Sequence, residues 1–582
     1  MSVTARLPSP YRPEAEVVAQ CLQSVYQSLD WAAAARLAAP WVQAVRDNPP
    51  PFWAMESLLR EYPISSAEGL ALMRLAEALL RVPDAETAIA LTADQLGRAD
   101  FESSGDKVLS RLSSTAIAMS KHFLPDPQGG SGASAEPGLM AKLGARTVVA
   151  ATLRAVQLLG RQFVLGQSMA EAQHEADLAR RRERVRYSYD MLGEGARSDE
   201  DAQRYLRSYS AAIASIAAHA SSGATVEDND GISIKLSALH PRFEDAQRAR
   251  VMQELVPRVW SLCQQAAAAN INLTMDAEEV ERQEISLEVL EAVLAQVAQH
   301  CPQWAGFGIA MQTYQTRALE LIGHVTALAR KYRVRLMCRL VKGAYWDAEV
   351  KRAQELGLAH YPVFTHKHHT DVSYLACARA LLEVPDAIYP QFASHNAATI
   401  AAIIQMAARI SGTPAAPGAQ TGAVVPRFEL QRLHGMGEGV YREVLKNPAV
   451  ACRVYAPVGA HRDLLAYLVR RLLENGANSS FVHQMADTSV PMQDLLISPL
   501  RLEPQSGLPL PPVLYGEHPT ARKNSLGLDL SVPGMRAPLL AALTSTLPVV
   551  AEATLQQVAA AGQASAAVYP AWSATPVAQR VA

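Results

Sequence analysis

The chain has 582 residues, 49% of them hydrophobic and 19% charged, which is the composition of a globular protein too long for one compact core. Its formal net charge of −2 provides no basic field for nucleic acid. The amino terminus has no apolar signal core, no apolar run is long enough to span a membrane, and the six cysteines form no CxxC pair. These features predict a cytoplasmic protein of two or more domains that binds no nucleic acid.

The first third of the chain has the apolar spacing of helices and carries no catalytic constellation. Helical periodicity runs through residues 13–46, 53–112 and 140–179, with a proline run and a Gly/Ser-rich stretch between these segments. We expect a helical arm over residues 1–50 and a helical domain over residues 51–165.

From Val185 onward, short apolar runs alternate with helical segments. The nine candidate strands are residues 185–192, 231–239, 271–278, 306–312, 334–342, 363–367, 390–396, 428–435 and 452–459. Repeated strand–helix–strand units indicate parallel strands joined by right-handed crossovers, and eight such units favour an α/β fold of the (β/α)8 barrel type. We expect the first eight runs to close the barrel and residues 452–459 to lead into its last helix.

Polar residues stand where most of these runs end, which is the edge where such barrels gather their active sites. They are Lys235, Asp276, Gln312, Arg339, Lys342, Thr365, His366, Lys367, His395, Asn396, Gln431 and His434. The segment VRLMCRLVKGAYWD (334–347) is the most informative, because an apolar strand there gives way to cations, Gly343, Tyr345 and Trp346. This pattern is typical of a strand end that faces a flat, anionic ligand.

A later helical segment, RDLLAYLVRRLLENGAN (462–478), carries Tyr467, Arg470, Arg471 and Glu474 on one face. Adjacent arginines are suited to a bidentate grip on a carboxylate, and Glu474 can brace Arg470. The same residues also fit an exposed helix with a salt bridge, so the pattern alone leaves both interpretations open.

Other motifs carry less weight. The histidines of THKHH (365–369) have no spaced carboxylate or thiolate partner, so we expect no metal site. GMGEG (435–439) is interpreted as a turn and helix start rather than a dinucleotide fingerprint.

Several segments together resemble one known family. YSYDMLGE, ISIKLSALHPRFE, LTMDAEE, RLVKGAYWD, DVSYLACA, FASHN, QRLHGMGE, YAPVG and YLVRRLLENGAN are similar to the proline dehydrogenase part of the bacterial proline utilization A family of bifunctional flavoenzymes. The resemblance covers roughly residues 10–485. The tail from about residue 486 resembles the opening of that family's aldehyde dehydrogenase half, and the family's ribbon-helix-helix DNA-binding domain has no counterpart at the front.

The resemblance implies a distorted (β/α)8 barrel over residues 166–485, followed by a linker and the start of the second module over 486–582. It implies FAD-dependent oxidation of L-proline to Δ1-pyrroline-5-carboxylate, the first step of proline catabolism, by hydride transfer to flavin N5. Electrons would pass to ubiquinone, which allows peripheral contact with the inner face of the cell membrane, and the second enzymatic activity would be absent. A homo-oligomer is compatible with the resemblance. A (β/α)8 enzyme that uses another anionic cofactor on a different amino acid is the alternative.

The resemblance also assigns roles to residues. Those implied to contact substrate are Lys235, Asp276, Leu340, Tyr345, Tyr455, Tyr467, Arg470, Arg471 and Glu474. Those implied to hold FAD are Asp276, Ala277, Gln312, Arg339, Lys342, Gly343, Ala344, Trp346, Thr365, His366, Lys367, His395, Asn396, Gln431, Leu433 and Glu474. Lys235, Arg339 and Tyr455 are the residues implied to take part in catalysis.

Overall fold

The structure is a computed structural model. It describes residues 6–26, 28–48, 163–221, 223–410, 428–459, 481–487, 489–502, 507–516, 518, 520, 522–544 and 550–581. The predicted helical domain (51–165) lies almost entirely outside these residues.

Eight strands form a closed barrel in which every neighbouring pair is parallel. The strands are β1 (Val185–Met191), β2 (Gly231–Ile234), β3 (Asn272–Met275), β4 (Phe307–Gln312), β5 (Leu336–Val341), β6 (Ile388–Ala393), β7 (Glu429–Leu433) and β8 (Ala451–Val458). The barrel closes where β1 pairs with β8, from Val185 opposite Cys452 to Met191 opposite Val458. The predicted α/β barrel is confirmed.

Helices surround this barrel. In the arm and the barrel they are α1 (Glu14–Val25), α2 (Trp31–Asp47), α3 (Met169–Arg180), α4 (Asp199–Ala217), α5 (Leu236–Leu239), α6 (Arg248–Ala268), α7 (Gln283–His300), α8 (Ala318–Tyr332), α9 (Trp346–Leu356), α10 (Lys367–Leu382), α11 (Ala397–Ile410) and α12 (Glu438–Val444). After the barrel come α13 (Phe481–Ala486), α14 (Met492–Leu495), α15 (Pro533–Leu543), α16 (Leu555–Ala574) and α17 (Val577–Val581). GMGEG is a turn and helix start, as predicted, because Gly437 precedes α12 in a left-handed conformation.

One strand assignment was wrong. The run predicted at 452–459 belongs to the barrel as β8 (Ala451–Val458), whereas residues 363–367 form no strand of the barrel. Val363 makes only an isolated antiparallel bridge to Gln315, and the chain turns into α10 at Lys367. The backbone of this run bonds the loop after β4 instead of a strand: the Phe364 N–H donates to the Tyr314 carbonyl at 2.8 Å, and the Thr316 N–H donates to the Pro362 carbonyl at 3.1 Å. Two helices, α9 and α10, therefore lie between β5 and β6.

The hydrophobic core lies between the barrel wall and the helices. Val259 and Leu262 of α6, and Leu290 and Val293 of α7, are fully buried in one continuous cluster with residues of the strands. Burial of each such side chain contributes about 1.5–3 kcal/mol. The packing fixes the helices on the outside and leaves the strand ends to form the site.

The amino-terminal arm packs on the barrel's helices. α1 lies against α10, and α2 lies against α11 and α12. Ala34 and Ala38 of α2 are fully buried, which allows close approach of the helices. The Arg379 guanidinium donates to the Ser24 carbonyl, which joins α10 to the end of α1.

The carboxyl-terminal segment returns to the barrel and then leaves it. Tyr11 donates to Asp529 at 2.5 Å, and Tyr361 donates to the Pro509 carbonyl at 2.8 Å. Beyond α15, by contrast, the side chains of α16 are exposed. Among the residues that the structure describes, no helix has the length and apolarity to span a membrane.

Candidate active site

The interior of this barrel is filled by hydrogen-bonded polar side chains, whereas such interiors are ordinarily dominated by branched apolar residues. The fully buried Ser188, Ser233 and Thr274 stand on β1, β2 and β3, and Gln391 and Gln431 stand on β6 and β7. Because alternate residues of a strand face the same side, these residues form the floor beneath the side chains at the strand ends.

Arg339 of β5 is the centre of this floor. Its Nε donates to Gln431 Oε1 at 2.8 Å, Nη1 to Asp276 Oδ1 at 2.8 Å, and Nη2 to the hydroxyls of Ser188 and Ser233 at 3.0 and 2.9 Å. Four of its five N–H groups are therefore engaged by four different strands or strand ends. Arg339 is 3% exposed, so the barrel holds a fixed positive charge at its carboxyl end.

Lys235, Asp276 and Tyr455 lie beside Arg339. Lys235 Nζ donates to Asp190 Oδ1 at 2.8 Å and to Asp276 Oδ2 at 3.2 Å, and the Tyr455 hydroxyl donates to Asp276 Oδ2 at 2.8 Å. The Arg339 guanidinium lies 4.9 Å from the centre of the Tyr455 ring. The fold therefore gathers the three side chains that the resemblance implies are catalytic, although β2, β5 and β8 are not neighbours in the chain.

The charges around Lys235 and Tyr455 determine the protonation state of these two side chains. Burial alone would lower the pKa of Lys235, but Asp190, Tyr455 and Asp276 together raise it well above its ordinary value. Burial, with the negative charges of Asp190 and Asp276, raises the pKa of Tyr455 well above its ordinary value. At neutral pH, both side chains therefore keep their protons and act as hydrogen-bond donors.

Residues after β4 and β5 form the neighbouring rim. Gln312 is buried and donates to the Glu278 carbonyl at 2.7 Å, while Lys342 pairs with Asp371. Gly343 has φ +140, and a Cβ there would come within 2.5 Å of the Tyr314 ring, so a side chain at 343 would strain the backbone and clash. The turn after β5 therefore requires glycine.

The other predicted residues of this segment vary in exposure. Leu340 is fully buried in the hydrophobic core, and Tyr345 directly precedes α9. Trp346 donates from Nε1 to the Phe364 carbonyl at 2.8 Å, whereas Ala344 is exposed and Ala277 is half-buried. The indole of Trp346 thus fastens the start of α9 to the loop before α10.

A carboxylate from the arm meets the start of α10. Glu14 accepts from the N–H of Thr365 at 3.0 Å, from its hydroxyl at 2.6 Å, from the N–H of His366 at 3.4 Å, and it also bonds His369. Burial alone would raise the pKa of Glu14, but the hydrogen bonds from His369 and Thr365 lower it to about 2. Glu14 therefore acts as a cap for α10 that comes from outside the barrel.

This arrangement bears on the expectation of no metal. Glu14, His366 and His369 bring possible ligand atoms within 4.8 Å of one another. A carboxylate near these histidines could not be predicted from the sequence, because Glu14 is about 350 residues away in the chain. In the structure the carboxylate already bonds His369 and the backbone of the helix start.

The ends of β6 and β7 complete the rim. His395 Nε2 accepts from the Leu433 N–H at 3.1 Å, and Asn396 Oδ1 accepts from the Thr399 N–H at 3.1 Å, which caps α11. Gln431 lies beneath Arg339 rather than on the rim, and both ends of its amide bond other side chains. His434, also noted in the sequence, is half-buried, and desolvation together with the charge of Arg432 lowers its pKa to about 4.

The chemistry of the rim fits a flavin dinucleotide. Lys342 at the end of β5 pairs with Asp371 of α10, and Lys367 begins the same helix as an exposed residue, where desolvation and the neighbouring charge of Lys342 lower its pKa. Lysines of this kind can bind a pyrophosphate, because each presents a positive charge and several N–H donors. The fixed cation Arg339 suits the electron-rich edge of a flavin ring.

Some site residues lie outside the described part of the chain, and others were not predicted. The predicted residues of the later helix, Tyr467, Arg470, Arg471 and Glu474, fall within residues 460–480, which the structure does not describe. Sequence reasoning missed Asp190, although its alternation with Ser188 on one face of YSYDM was a usable signal.

Comparison with known proteins gives two family matches. Residues 173–484 match the model described as proline dehydrogenase, and residues 54–163 match one described as the DNA-binding domain of proline dehydrogenase. The second description does not support the expectation of no nucleic-acid partner, which rested on net charge. All but the last of its residues lie outside those that the structure describes.

Individual relatives agree with these matches. The chain is 44% identical over 544 residues to the bifunctional protein PutA of Escherichia coli, covering 89% of this chain and 39% of that protein. It is 26% identical over 295 residues to proline dehydrogenase 1 of Bacillus subtilis, covering 50% of this chain and 79% of that one. A crystal structure of a mutant proline utilization A from Bradyrhizobium japonicum is 43% identical, with a TM-score of 0.71 over 99% of this chain and 56% of that chain. The chain thus spans about two fifths of the E. coli protein.

Proposed function

The chain belongs to the proline dehydrogenase family, and on that premise we propose that it oxidises L-proline to Δ1-pyrroline-5-carboxylate with FAD as its resident cofactor. The observation that carries the proposal is the group formed by Arg339, Lys235, Asp276 and Tyr455 at the carboxyl end of the barrel. In this group the carboxylate of Asp276 accepts hydrogen bonds from the cations Arg339 and Lys235 and from the Tyr455 hydroxyl. Such an arrangement is suited to binding a flat redox cofactor and a small zwitterion.

Bound FAD would supply the hydride acceptor, at its N5 atom. The residues proposed to hold it are Asp276, Ala277, Gln312, Arg339, Lys342, Gly343, Ala344, Trp346, Thr365, His366, Lys367, His395, Asn396, Gln431, Leu433 and Glu474. Gln431 acts here through its bond to Arg339. The positive charge of Arg339, held by four hydrogen bonds, favours negative charge that develops on the ring as it is reduced.

Substrate binding is proposed to use two groups of residues. Arg470 and Arg471 grip the proline carboxylate with Glu474 as a brace, while Tyr345, Tyr455 and Tyr467 surround the ring. The expectation that Leu340 joins them is wrong, because Leu340 follows the inward-facing Arg339 on β5 and so faces the hydrophobic core. Lys235 and Asp276 line the bottom of the substrate pocket, and Lys235 stays charged there because of its acidic neighbours. Holding the substrate by its carboxylate orients the reacting carbon, and orientation of this kind lowers the barrier by roughly 7 kcal/mol or more.

The protonation states of Lys235 and Tyr455 limit which groups can remove the proline N–H proton. Lys235 and Tyr455 hold their own protons at neutral pH, because the pKa of each is raised. Neither side chain therefore serves as the base, and both instead donate hydrogen bonds that keep Asp276 in place.

The wider organisation also belongs to this proposal. We propose a helical arm (1–50), a helical domain (51–165), the barrel unit (166–485) and a linker with the start of a further module (486–582). Hydrogen bonds from the Leu165 N–H to the Pro457 carbonyl and from the Gly459 N–H to the Gly166 carbonyl support the start of the barrel unit near residue 166. Ubiquinone at the membrane surface is the proposed electron acceptor.

A turnover assay tests the proposal. We expect the purified protein, loaded with FAD, to reduce an artificial electron acceptor with L-proline and to ignore D-proline and L-alanine. Arg471→Met should raise the KM for proline by orders of magnitude with FAD retained, since only the carboxylate grip is lost. Turnover with another amino acid but not with proline would support the alternative, a (β/α)8 enzyme that acts on a different amino acid. An unchanged KM in Arg471→Met would contradict the proposed binding of the carboxylate by the arginines.

A further inference from the structure

A buried ion pair lies beneath Arg339, at the other end of the barrel interior. Glu429 of β7 and Arg453 of β8 are both fully buried, with Arg453 Nε 2.7 Å from Glu429 Oε1. Arg453 uses all five of its N–H groups, two on Glu429 and three on the carbonyls of Tyr187, Asn229 and Glu227. None of the roles proposed above uses this pair.

Glu429 also accepts from two amides. Its Oε1 receives the Nε2 groups of Gln391 and Gln431, each at 2.8 Å, in addition to Arg453 Nε. One carboxylate oxygen therefore gathers three donors from β6, β7 and β8. Loss of this carboxylate would leave all three without their acceptor in the dry interior.

Gln431 connects this pair to Arg339. Glu429 is an acceptor at this site, so the NH2 group of Gln431 must face it, and Arg339 only donates, so the carbonyl oxygen of Gln431 must face Arg339 Nε. A flipped amide would set oxygen against oxygen at one end and N–H against N–H at the other. The chemistry of the two partners thus fixes the orientation of Gln431.

We propose that Glu429 is a positioning residue for the redox reaction: through the amide of Gln431, it fixes the orientation of the Arg339 guanidinium, the cation that would lie beside bound FAD. This inference rests on the proposed function, because it assumes that Arg339 lies at the reacting centre. Glu429 and Gln431 stand two residues apart on β7 and so share the interior face. Arg453 and Tyr455 repeat that spacing on β8, so both strands connect the pair below to the site above.

Two variants test the proposal. In Glu429→Gln, the amide offers one oxygen where the carboxylate has two, and its NH2 group faces donors, so Gln431 loses its fixed orientation. Because an unpaired Arg453 can destabilise the fold, Glu429→Met/Arg453→Met removes both charges, a replacement that buried ion pairs often tolerate. Glu284→Gln is the control, since Glu284 pairs with the buried Arg317 at 3.3 Å and has no hydrogen bond to Arg339 among the described residues.

In both test variants we expect kcat to fall about tenfold, as for one charge-assisted hydrogen bond, with the KM for proline within about twofold. The midpoint potential of the bound flavin should become more negative, because the cation is less well placed for the reduced ring. Glu284→Gln should change neither quantity. Crystal structures should show the Arg339 guanidinium rotated in the test variants and unmoved in the control.

Two results would overturn the positioning role. If kcat and the potential stay unchanged in both test variants, the pair acts on stability alone. If Glu429→Gln loses activity and the double variant regains it, the loss comes from the unpaired Arg453 charge and not from Gln431. Absence of FAD from every variant and from the wild type would instead contradict the proposed function, while the position of Arg339 in the crystals would still decide the role of Glu429.

Discussion

Arg339 Nη1 lies 2.8 Å from Asp276 Oδ1, although the two residues are 63 positions apart. Arg339 stands on β5 and Asp276 directly follows β3, and these two strands do not pair with each other. The Asp276 N–H donates to the Ile234 carbonyl at 2.9 Å, which extends the pairing of β2 and β3 past Met275 and fixes the carboxylate. The contact therefore depends on closure of the whole barrel and not on local structure.

Arg339→Lys tests whether the fork of donors is needed. Lysine keeps the charge but presents its donors from one nitrogen, so it cannot reach Gln431, Asp276 and the two serines at once. We expect kcat to fall about 100-fold, in the range found when one fixed donor at a reacting centre is removed. Arg330→Lys, at an exposed pair with Asp386, is the matched control and should leave kcat unchanged. Equal kcat values for the two variants would show that the reaction does not require the several N–H donors of the Arg339 guanidinium.

Tyr455→Phe tests the hydroxyl that holds Asp276. The variant keeps the ring beside Arg339 and removes the 2.8 Å hydrogen bond, so Asp276 Oδ2 keeps only Lys235. We expect kcat/KM for proline to fall about tenfold and the free energy of unfolding to fall by about 1–3 kcal/mol. Tyr332→Phe removes a partly buried hydroxyl 3.4 Å from Glu291, away from the site, and should change neither quantity. An unchanged kcat/KM in Tyr455→Phe would show that the hydrogen bond from the Tyr455 hydroxyl to Asp276 is not needed for the reaction.

Gly343→Ala tests the turn after β5. A Cβ at 343 would meet the Tyr314 ring at a φ of +140, so the turn must shift. We expect a loss of about 1–3 kcal/mol in the free energy of unfolding and weaker FAD binding. Gly323→Ala in α8 is the control, since nothing lies within 4 Å of its Cβ position, and it should stabilise the protein by roughly 0.5–1 kcal/mol. Unchanged FAD affinity in Gly343→Ala would separate this turn from the cofactor.

Glu14→Gln tests the cap that the arm supplies to α10. The folded state lowers the pKa of Glu14 from 4.5 to about 2, so its charged form stabilises the fold above about pH 4.5, and this contribution is lost as the pH falls toward 2. At pH 7 we expect the variant to lose about 1 kcal/mol, the usual cost of a lost helix cap. Unfolding curves of both proteins from pH 7 to 3 should converge as the pH falls. A difference that stays constant with pH would contradict the charged cap.

Much of the barrel could be predicted from the sequence, because each strand is an apolar run between helical segments. The assignment failed at residues 363–367, where Val363 and Phe364 are fully buried but pack beside the barrel and not in its wall. A short apolar run shows that its residues are buried, but it does not show whether they pair with a strand of the barrel or pack beside it.

The site was predictable in part for a related reason. Lys235, Asp276 and Arg339 stand at strand ends, where a polar residue after an apolar run is visible in the sequence. Glu14 and Glu429 were missed, since each matters through a partner elsewhere in the chain. Glu14 meets the start of α10 only because the arm folds back, and Glu429 meets Arg453 inside the closed barrel.

The most direct test of the account is the visible spectrum of the purified protein, recorded anaerobically before and after addition of L-proline. We expect a yellow protein whose flavin absorption is bleached by proline at a rate that Arg339→Lys reduces and Arg330→Lys does not. A colourless protein that cannot be loaded with FAD, or a flavin spectrum that proline leaves unchanged, would contradict the assignment of Arg339 and its neighbours to proline oxidation.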